Sequence, residues 1–331
     1  MKNILFLEEK FSMQGSTRAL LDYAHFNEKI LGNKSLLAFG SKDKSHPWQE
    51  PYYKNIQDNT FNSLKQRFPV LEYKDYYELE NYIQTSDIDG MYHIKSGEPI
   101  GFHSKSTRNL IHAVFPQPIE NVHGHKYAFV SKWLSDNCAQ GKIPYVSHMV
   151  YKPKFNELEA RKQIRESLNI PQDAMVYGRI GGYNDFDLPF VYESIKKALD
   201  IRKDLYFLQI CTKPFYDHER VIYLDPIMDL KEKYRYIAAT DAMIHARNHG
   251  ETFGLAVAEF CSMNKPILTW SQSIGKGYVE ILKEDGIYYN NENDLLELFL
   301  NFIPEKNKDY NSYKYFSPEN IMTEFNNVFL T

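Results

Sequence analysis

The chain has 331 residues, a length that suggests two domains of ordinary size, and 43% of them are hydrophobic, enough for sizeable cores. Its net charge of -4 excludes the strongly basic footprint of a nucleic-acid-binding protein or a polybasic membrane patch. The three cysteines, Cys138, Cys211 and Cys261, lack metal-like spacing, and an odd, sparse count argues against a disulfide framework.

The N-terminal sequence MKNILFLEEKF contains too short an apolar run for a signal peptide, and acidic residues follow it at once. No stretch of the sequence approaches the ~20 apolar residues of a membrane span. We therefore expect a cytoplasmic protein without a transmembrane segment. Peripheral contact with a membrane surface stays open.

The first half begins with a predicted strand at Asn3–Leu7, followed by a loop at residues 14–17 and a helix at residues 18–31. In that loop, Gly15 and Ser16 lie where a phosphate or a sugar can approach the backbone. A simple turn with Ser16 or Thr17 as the helix cap explains the same residues equally well.

Apolar runs predict further strands in this half at residues 36–39, 89–95, 109–115, 127–131 and 145–150. Residues 41–80 are polar and aromatic and give no clear order of elements. Residues 151–157, with a proline and several charges, are typical of a linker. We therefore place a first domain at residues 1–150.

Three histidines of this half are candidates for a binding site, and the sequence supports them to different degrees. His112 lies inside the apolar run NLIHAVF, which fits a core imidazole as well as a residue that faces a ligand. His123 and His125 have a metal-like spacing, but two histidines without a third ligand are weak evidence for zinc. We interpret His123 and His125 as loop residues.

The second half alternates strands and helices, the α/β pattern. A strand at residues 175–180 is followed by Gly181 and Gly182. The remaining predicted elements are helices at residues 189–199, 229–239 and 253–263 and strands at residues 206–211, 221–224, 242–244, 267–270 and 286–289. Residues 313–330 are amphipathic and predict a terminal helix.

The segment Asp241–Thr269 forms a predicted strand–helix–strand unit whose loop lies at the carboxyl end of a strand, where open α/β sheets bind ligands. Glu251 and Glu259 are eight residues apart, so both can point roughly the same way if the helix starts near Glu251. Gly254 lets a phosphate approach backbone N–H groups at the helix N-terminus. An ordinary capped core helix is the alternative interpretation.

The stretch GETFGLAVAE resembles the E-x7-E signature of retaining, family-4-like glycosyltransferases of the GT-B fold, with Thr252 where glycine is usual. This resemblance implies an α/β protein of two doubly wound, Rossmann-like domains that face a cleft. It makes residues 1–150 the Rossmann-like, acceptor-side domain and residues 151–312 the nucleotide-sugar domain, with residues 313–331 crossing back to the first domain.

The resemblance also implies roles for individual residues. Glu251 would contact the hydroxyls of the donor sugar, and Glu259 would hold the ribose. Residues around the helix N-terminus would support sugar and phosphate: Thr252, Phe253, Gly254 and Leu255. His112 would contact the donor sugar or the leaving phosphate.

Arg179, before Gly181 and Gly182, resembles the family's arginine that meets the donor diphosphate. The family usually supplies a lysine a few residues later, and this chain has the stretch YNDFD instead. Arg247 or Lys213 is a candidate to replace that lysine. A departing diphosphate develops negative charge that a guanidinium can meet bidentately.

The sequence thus predicts a retaining glycosyltransferase that needs no metal or other cofactor, takes a nucleotide-sugar donor, and acts on a glycan, protein or lipid-linked acceptor. Two alternatives remain: a degenerate subunit that only binds a sugar nucleotide, and a nucleotide-sugar epimerase of the same fold. The donor, the sugar and the acceptor are not readable from the sequence.

Overall fold

A computed structural model describes residues 1–9, 15–40 and 61–331 of the chain. The chain divides into two compact units. Unit 1 comprises Met1–Met149 and Phe316–Thr331, and unit 2 comprises Val150–Tyr315. In the described residues, no helix is long and apolar enough to cross a membrane.

Unit 1 contains a parallel sheet with helices packed against it. Its strands are β1 (Asn3–Glu8), β2 (Lys34–Gly40), β3 (Val70–Tyr73), β4 (Gly90–Lys95), β5 (Asn109–Ala113) and β6 (Lys126–Phe129). Its helices before residue 150 are α1 (Gly15–Lys29), α2 (residues 61–67), α3 (Tyr76–Thr85) and α4 (Lys132–Ala139). The strand order is β3-β2-β1-β4-β5-β6, and every recorded pairing is parallel. The central strands are apolar almost throughout because helices cover both faces of such a sheet.

Unit 2 repeats this architecture. The strands of its main sheet are β7 (Met175–Ile180), β8 (Leu205–Ile210), β9 (Val221–Leu224), β10 (Ala242–His245), β12 (Ile267–Trp270) and β14 (Ile287–Tyr289). Two further strands of two residues each, β11 (Gly250–Glu251) and β13 (Gly275–Lys276), pair separately with one another. Its helices are α5 (Glu157–Ser167), α6 (Pro189–Ile201), α7 (Leu230–Ala238), α8 (Leu255–Ser262), α9 (Gly277–Leu282) and α10 (Glu292–Asn301). The main sheet has the order β14-β12-β10-β7-β8-β9.

Short polar side chains start many of these helices. Asn156 caps α5 by accepting the backbone N–H of Glu159, and Asp229 caps α7 by accepting that of Glu232. Such caps satisfy backbone donors that have no partner inside the helix. The helix starts are therefore fixed locally by the sequence.

The C-terminal segment belongs to unit 1. Helix α11 (Pro318–Phe325) continues into a wider turn, Asn326–Leu330. Phe325 stacks on Tyr23 of α1 with ring centroids 5.1 Å apart, and Phe329 packs against Tyr92 of β4. The prediction that the terminal helix returns to the first domain is confirmed.

Two predictions about unit 1 are wrong. Residues 145–150 form no regular strand, and only a single bridge joins Tyr145 to Phe129. Gly15 and Ser16 lie in the first turn of α1 rather than in a loop before it. Gln14, assigned to the same loop, lies outside the described residues, as does the first half of the unordered stretch 41–80.

Candidate functional site

The sheet of unit 2 reverses its direction of growth between β7 and β10. In open α/β sheets, ligands bind at the carboxyl ends of the strands that flank such a switch point. Arg179 lies at the end of β7, and His245 is the last residue of β10. The loops that follow carry Gly181, Gly182 and Glu251, so the fold brings these predicted residues to one edge of the sheet.

Glu251 is held by a cation from its own loop. Arg247 Nη1 donates to Glu251 Oε1 at 2.8 Å, and Arg247 Nη2 lies 3.5 Å from Asp185 Oδ2. Burial favours the neutral carboxyl, but His245 and Arg247 outweigh it and hold the pKa of Glu251 below its ordinary value. Glu251 therefore carries its charge at neutral pH.

His245 lies between the Glu251 carboxylate and the buried side chain of Thr269. Its Nδ1 lies 2.9 Å from Thr269 Oγ1, and its Nε2 lies 3.7 Å from Glu251 Oε1, beyond hydrogen-bond distance. Among the described residues, the buried Nε2 atom has no hydrogen-bond partner. The Nε2 atom therefore faces the Glu251 carboxylate and interacts with it through charge rather than through a hydrogen bond.

Helix α8 begins directly after this loop. Its cap residue, Gly254, has a φ of +83°, a left-handed conformation that side chains rarely adopt. The carbonyl of the preceding Phe253 accepts a hydrogen bond from Tyr313 at 2.7 Å, which fixes the approach to the helix. Thr252 and Leu255 flank these two residues, and the first N–H groups of α8 form a site suited to an anion.

The helix begins at Leu255, so Glu251 lies before it, in β11. The condition under which both glutamates would point the same way, a helix that starts near Glu251, is therefore not met. Glu259, within α8, is 7% exposed and forms an ion pair with Lys233 of α7. The predicted ribose ligand is thus paired with a lysine of the protein in this structure.

Arg179 contacts the protein on several sides. Only 4% of it is exposed. Its Nη1 donates to Cys211 O at 2.8 Å and to Thr212 Oγ1 at 2.7 Å, and its Nη2 donates to Gly182 O at 2.7 Å. Burial lowers the pKa of Arg179 to about 10, so the guanidinium is charged at neutral pH. It joins the loops that follow β7 and β8.

The other predicted residues belong to unit 1. Gly15 is exposed and Ser16 is partly exposed in α1. His112 is fully buried, with Nδ1 2.5 Å from the Tyr92 hydroxyl and Nε2 2.7 Å from the Val146 carbonyl oxygen. Burial lowers the pKa of His112 to about 4. Both ring nitrogens are bonded within the core, so this structure does not present His112 to a ligand.

His123 and His125 do not act together. His123 Nδ1 lies 2.6 Å from its neighbour Asn121 O, and His125 Nδ1 accepts the backbone N–H of Asn109 at 3.0 Å. In the part of the chain that the structure describes, no group of three His, Cys, Asp or Glu side chains is arranged to hold a metal ion.

Sequence reasoning missed three side chains of this site. His245 could have been found as a polar residue that ends a buried strand. Asp185 and Lys233 carried no signal, because their partners, Arg247 and Glu259, are distant in sequence and only the fold brings them together.

No protein-family model matches the chain, and no curated protein matches its sequence. Solved structures do match its fold. HepE of Anabaena, solved with UDP and glucose, is 12% identical, with 99% of this chain and 96% of HepE covered and a TM-score of 0.67. TarM of S. aureus, solved with UDP, alpha-GlcNAc-glycerol and fondaparinux, is 9% identical over 100% of both chains with a TM-score of 0.66. A glycosyltransferase from Rickettsia africae is 14% identical, with 99% and 94% covered and a TM-score of 0.60.

The two Rossmann-like units and these neighbours assign the chain to the GT-B fold. At identities this low, the similarity establishes the fold alone.

Proposed function

We propose that this protein is a retaining glycosyltransferase that moves a sugar from a nucleotide-sugar donor to a glycan, protein or lipid-linked acceptor. The observation that carries the proposal is the ionised Glu251, held by Arg247 beside the N-terminus of α8 at the switch point of unit 2. The binding of UDP or a UDP-sugar by structural neighbours supports the same kind of donor.

Each part of the site has a task in this reaction. Glu251 accepts hydrogen bonds from hydroxyls of the donor sugar, because a carboxylate offers acceptors only. The first N–H groups of α8, after Gly254, meet phosphate oxygens. The Nε2 of His245, which makes no hydrogen bond among the described residues and lies 3.7 Å from Glu251, bonds a further polar group of the donor. Arg247 supplies positive charge beside the leaving diphosphate.

Retention and the absence of a metal are further parts of the proposal. Retention rests on the E-x7-E spacing of Glu251 and Glu259, and we expect a front-face route in which the leaving phosphate accepts the acceptor's proton. Since Arg247 and the dipole of α8 already provide positive charge, no metal ion is needed for the departure of the diphosphate.

A second candidate function is a subunit that binds a sugar nucleotide without turnover. The stretch YNDFD, which stands where the resembled family usually has a lysine, favours it, because one cation fewer is then available to stabilise a departing diphosphate. The two candidates differ in turnover and not in nucleotide binding.

A thermal-shift screen against UDP-, GDP-, ADP- and dTDP-sugars tests the binding of a sugar nucleotide, which both candidate functions require. A ligand at ~100 times its dissociation constant adds about 2.7 kcal/mol to stability, a clear rise in melting temperature. If none of these donors shifts the melting temperature, both candidates fail.

Release of the nucleoside diphosphate from the donor that binds then separates the two candidates. We expect slow hydrolysis of the sugar nucleotide by the wild type and none by Glu251→Gln. The matched control is Glu284→Gln, which removes an exposed glutamate of the same unit and should keep the wild-type rate. A wild type that binds the donor but never cleaves it, with or without acceptor extracts, would establish the binding subunit.

A further inference from the structure

We propose that unit 1 binds an uncharged carbohydrate at the carboxyl ends of β1 and β4, on the ring of Tyr76 and beside Glu9 and Lys95. The role of this ligand rests on the proposed function, under which a carbohydrate bound by unit 1 is the acceptor. The inference therefore narrows the acceptor to a glycan. Binding of the carbohydrate is a separate property of unit 1, which can be measured without a donor.

The topology of unit 1 places two charged side chains at one edge of its sheet. This sheet reverses its direction of growth between β1 and β4. Ligands of open α/β sheets bind at the carboxyl ends of the strands beside such a point. Glu9 directly follows β1, and Lys95 is the last residue of β4. A carboxylate and an ammonium group therefore lie where this kind of sheet binds its ligand.

The loop after β4 holds both groups in place. Phe102 donates its backbone N–H to Glu9 Oε1 at 2.9 Å, and Lys95 Nζ donates to the carbonyl oxygen of Ile100. Gly101, with a φ of +80°, lies so close to the carboxylate that a side-chain carbon there would collide with it. Glu9 has a second carboxylate oxygen and Lys95 has two further protons, which can bond to hydroxyl groups as acceptor and donors.

Aromatic rings lie beside the Glu9 carboxylate. Tyr76, in the first turn of α3, is 45% exposed. Its ring packs against the buried ring of Phe102 with centroids 5.3 Å apart and lies 6.4 Å from the ring of Tyr73, the last residue of β3. Burial and the nearby Glu9 carboxylate raise the pKa of Tyr76. A partly exposed ring next to a carboxylate suits a sugar, whose C–H groups pack on the ring while its hydroxyls bond to the carboxylate.

The charges at this edge favour an uncharged ligand over a phosphate. Burial lowers the pKa of Lys95, and the nearby carboxylates of Glu9 and Glu98 act against that shift. The same carboxylates offset the charge of the ammonium group and repel an anion. His103 and His123, whose ring centroids are 4.8 Å apart, add no positive charge at neutral pH, because burial and Lys95 lower the pKa of each.

Polar atoms without a partner are concentrated near this edge. In the part of the chain that the structure describes, they include the Tyr73 hydroxyl, His93 Nδ1, His103 Nε2 and His123 Nε2, all buried. Buried polar atoms are nearly always paired, so this concentration at one end of one sheet needs an explanation. A ligand rich in hydroxyl groups supplies such partners, directly or through ordered water.

A printed array of neutral oligosaccharides, together with phosphorylated and sulfated ones, tests the class of ligand. We expect the wild type to bind neutral glycans and to show no preference for the charged ones, because Glu9 and Glu98 repel an anion. A preference for phosphorylated or sulfated glycans would overturn the inference, as would binding to none of the printed glycans.

Calorimetric titration with the neutral oligosaccharide that binds to the array then tests the residues. Tyr76→Ala and Glu9→Gln should each weaken binding about tenfold, since one removes the ring and the other a charged acceptor. Tyr76→Phe keeps the ring and should bind within a few-fold of the wild type. The matched control Tyr77→Ala removes the next tyrosine of α3, which is 76% exposed, and should bind like the wild type.

The variants also separate direct contact from loop structure. The amide oxygen of glutamine can still accept the N–H of Phe102, so Glu9→Gln removes the charge and keeps this bond. Weaker binding at an unchanged melting temperature supports a direct contact, and Glu9→Gln decides if Tyr76→Ala does not fold. Wild-type affinity in Glu9→Gln and Tyr76→Ala contradicts the inference, and so does an equal loss in Tyr77→Ala.

The outcomes distinguish this inference from the proposed function. A wild type that binds a sugar nucleotide but no neutral glycan leaves the proposed function standing and overturns the inference. A wild type that binds a neutral glycan through Tyr76 and Glu9 but binds no sugar nucleotide supports the carbohydrate site, while the proposed function fails.

Discussion

Replacing Arg179 by methionine tests whether this buried cation organises the site or binds the donor directly. The side chain is 4% exposed, and its guanidinium donates to Cys211 O, Thr212 Oγ1 and Gly182 O at 2.7 to 2.8 Å. Methionine fills a similar space and donates no hydrogen bond. Arg179→Met therefore removes donors from two loops at once.

The expected loss of stability depends on which of those acceptors is left without a donor. The hydroxyl of Thr212 can turn to another partner, and it already lies 3.4 Å from Ile210 O. The Cys211 carbonyl, in a half-buried residue, loses its charged donor, whereas the carbonyl of the exposed Gly182 keeps the N–H of Asp185 as a donor. An unsatisfied buried group costs about 1–3 kcal/mol. We therefore expect Arg179→Met to lower the free energy of unfolding by about 1–3 kcal/mol. Arg179→Lys should destabilise the fold less than Arg179→Met does, because the ammonium keeps a charged donor. It should still be less stable than the wild type, because an ammonium lacks the planar fork that reaches both loops.

Urea denaturation followed by tryptophan fluorescence measures this difference. The control is Arg235→Met, since Arg235 forms a more exposed ion pair with Glu232 and should cost less than about 1 kcal/mol. The reasoning is refuted if Arg179→Met changes stability no more than the control does while UDP affinity falls a hundredfold. That outcome would make Arg179 the direct diphosphate ligand.

Three further predictions concern carboxylates. Glu251→Gln should lower turnover at least about a hundredfold in initial-rate assays, and the lost, partly exposed pair with Arg247 should cost only about 1 kcal/mol in urea denaturation. Glu259→Gln should weaken UDP binding in calorimetry and destabilise the fold by about 1–3 kcal/mol, because Lys233 is left largely buried without its counter-charge. Burial raises the pKa of Glu8 from its ordinary 4.5 to about 7, so its contribution to stability is present below 4.5 and is lost as the pH rises through 7. The unfolding free energy of Glu8→Gln should therefore fall by up to about 3 kcal/mol less than that of the wild type between pH 4.5 and 8. An unchanged pH dependence of the unfolding free energy would contradict this.

The architecture of unit 2 could be predicted closely because its elements carry local signals. Strands β9 and β12 have the predicted bounds, since each is a short apolar run between polar residues. The start of α7 is marked by Asp229, whose side chain caps it. The order of strands in the sheet carries no such local signal, but the alternation of strands and helices limits the choices to a doubly wound sheet.

Failures occurred where tertiary contacts decide the conformation. Residues 145–150 are apolar enough for a strand, but only Tyr145 reaches the edge of the sheet, beside Phe129. His148 of this segment is buried near Tyr23 and His112 instead. An apolar run predicts burial well, but it does not distinguish a strand from an irregular segment.

The pairing of charged side chains could also not be predicted from the sequence. The family resemblance predicted Glu259 as a ribose ligand, yet Lys233, 26 positions earlier, donates to one of its oxygen atoms. The resemblance predicted that Arg179 meets the donor diphosphate, yet two of its acceptors in the protein come from a loop more than 30 positions later. Such contacts follow from which loops meet at one edge of the sheet, and no local pattern encodes them.

The departure of Thr252 from the glycine that is usual in the signature has a physical explanation in the backbone. The left-handed conformations of this loop fall at Gly250, with a φ of +62°, and at Gly254, with a φ of +83°, on either side of Thr252. Thr252 itself does not adopt a positive φ, so its branched side chain causes no backbone strain there. Between the two glycines, β11 pairs with β13 and fixes the backbone of Glu251, while Arg247 fixes its carboxylate. The charge of Glu251 is therefore positioned before any ligand binds, and this preorganisation is the property that the proposed transferase site requires.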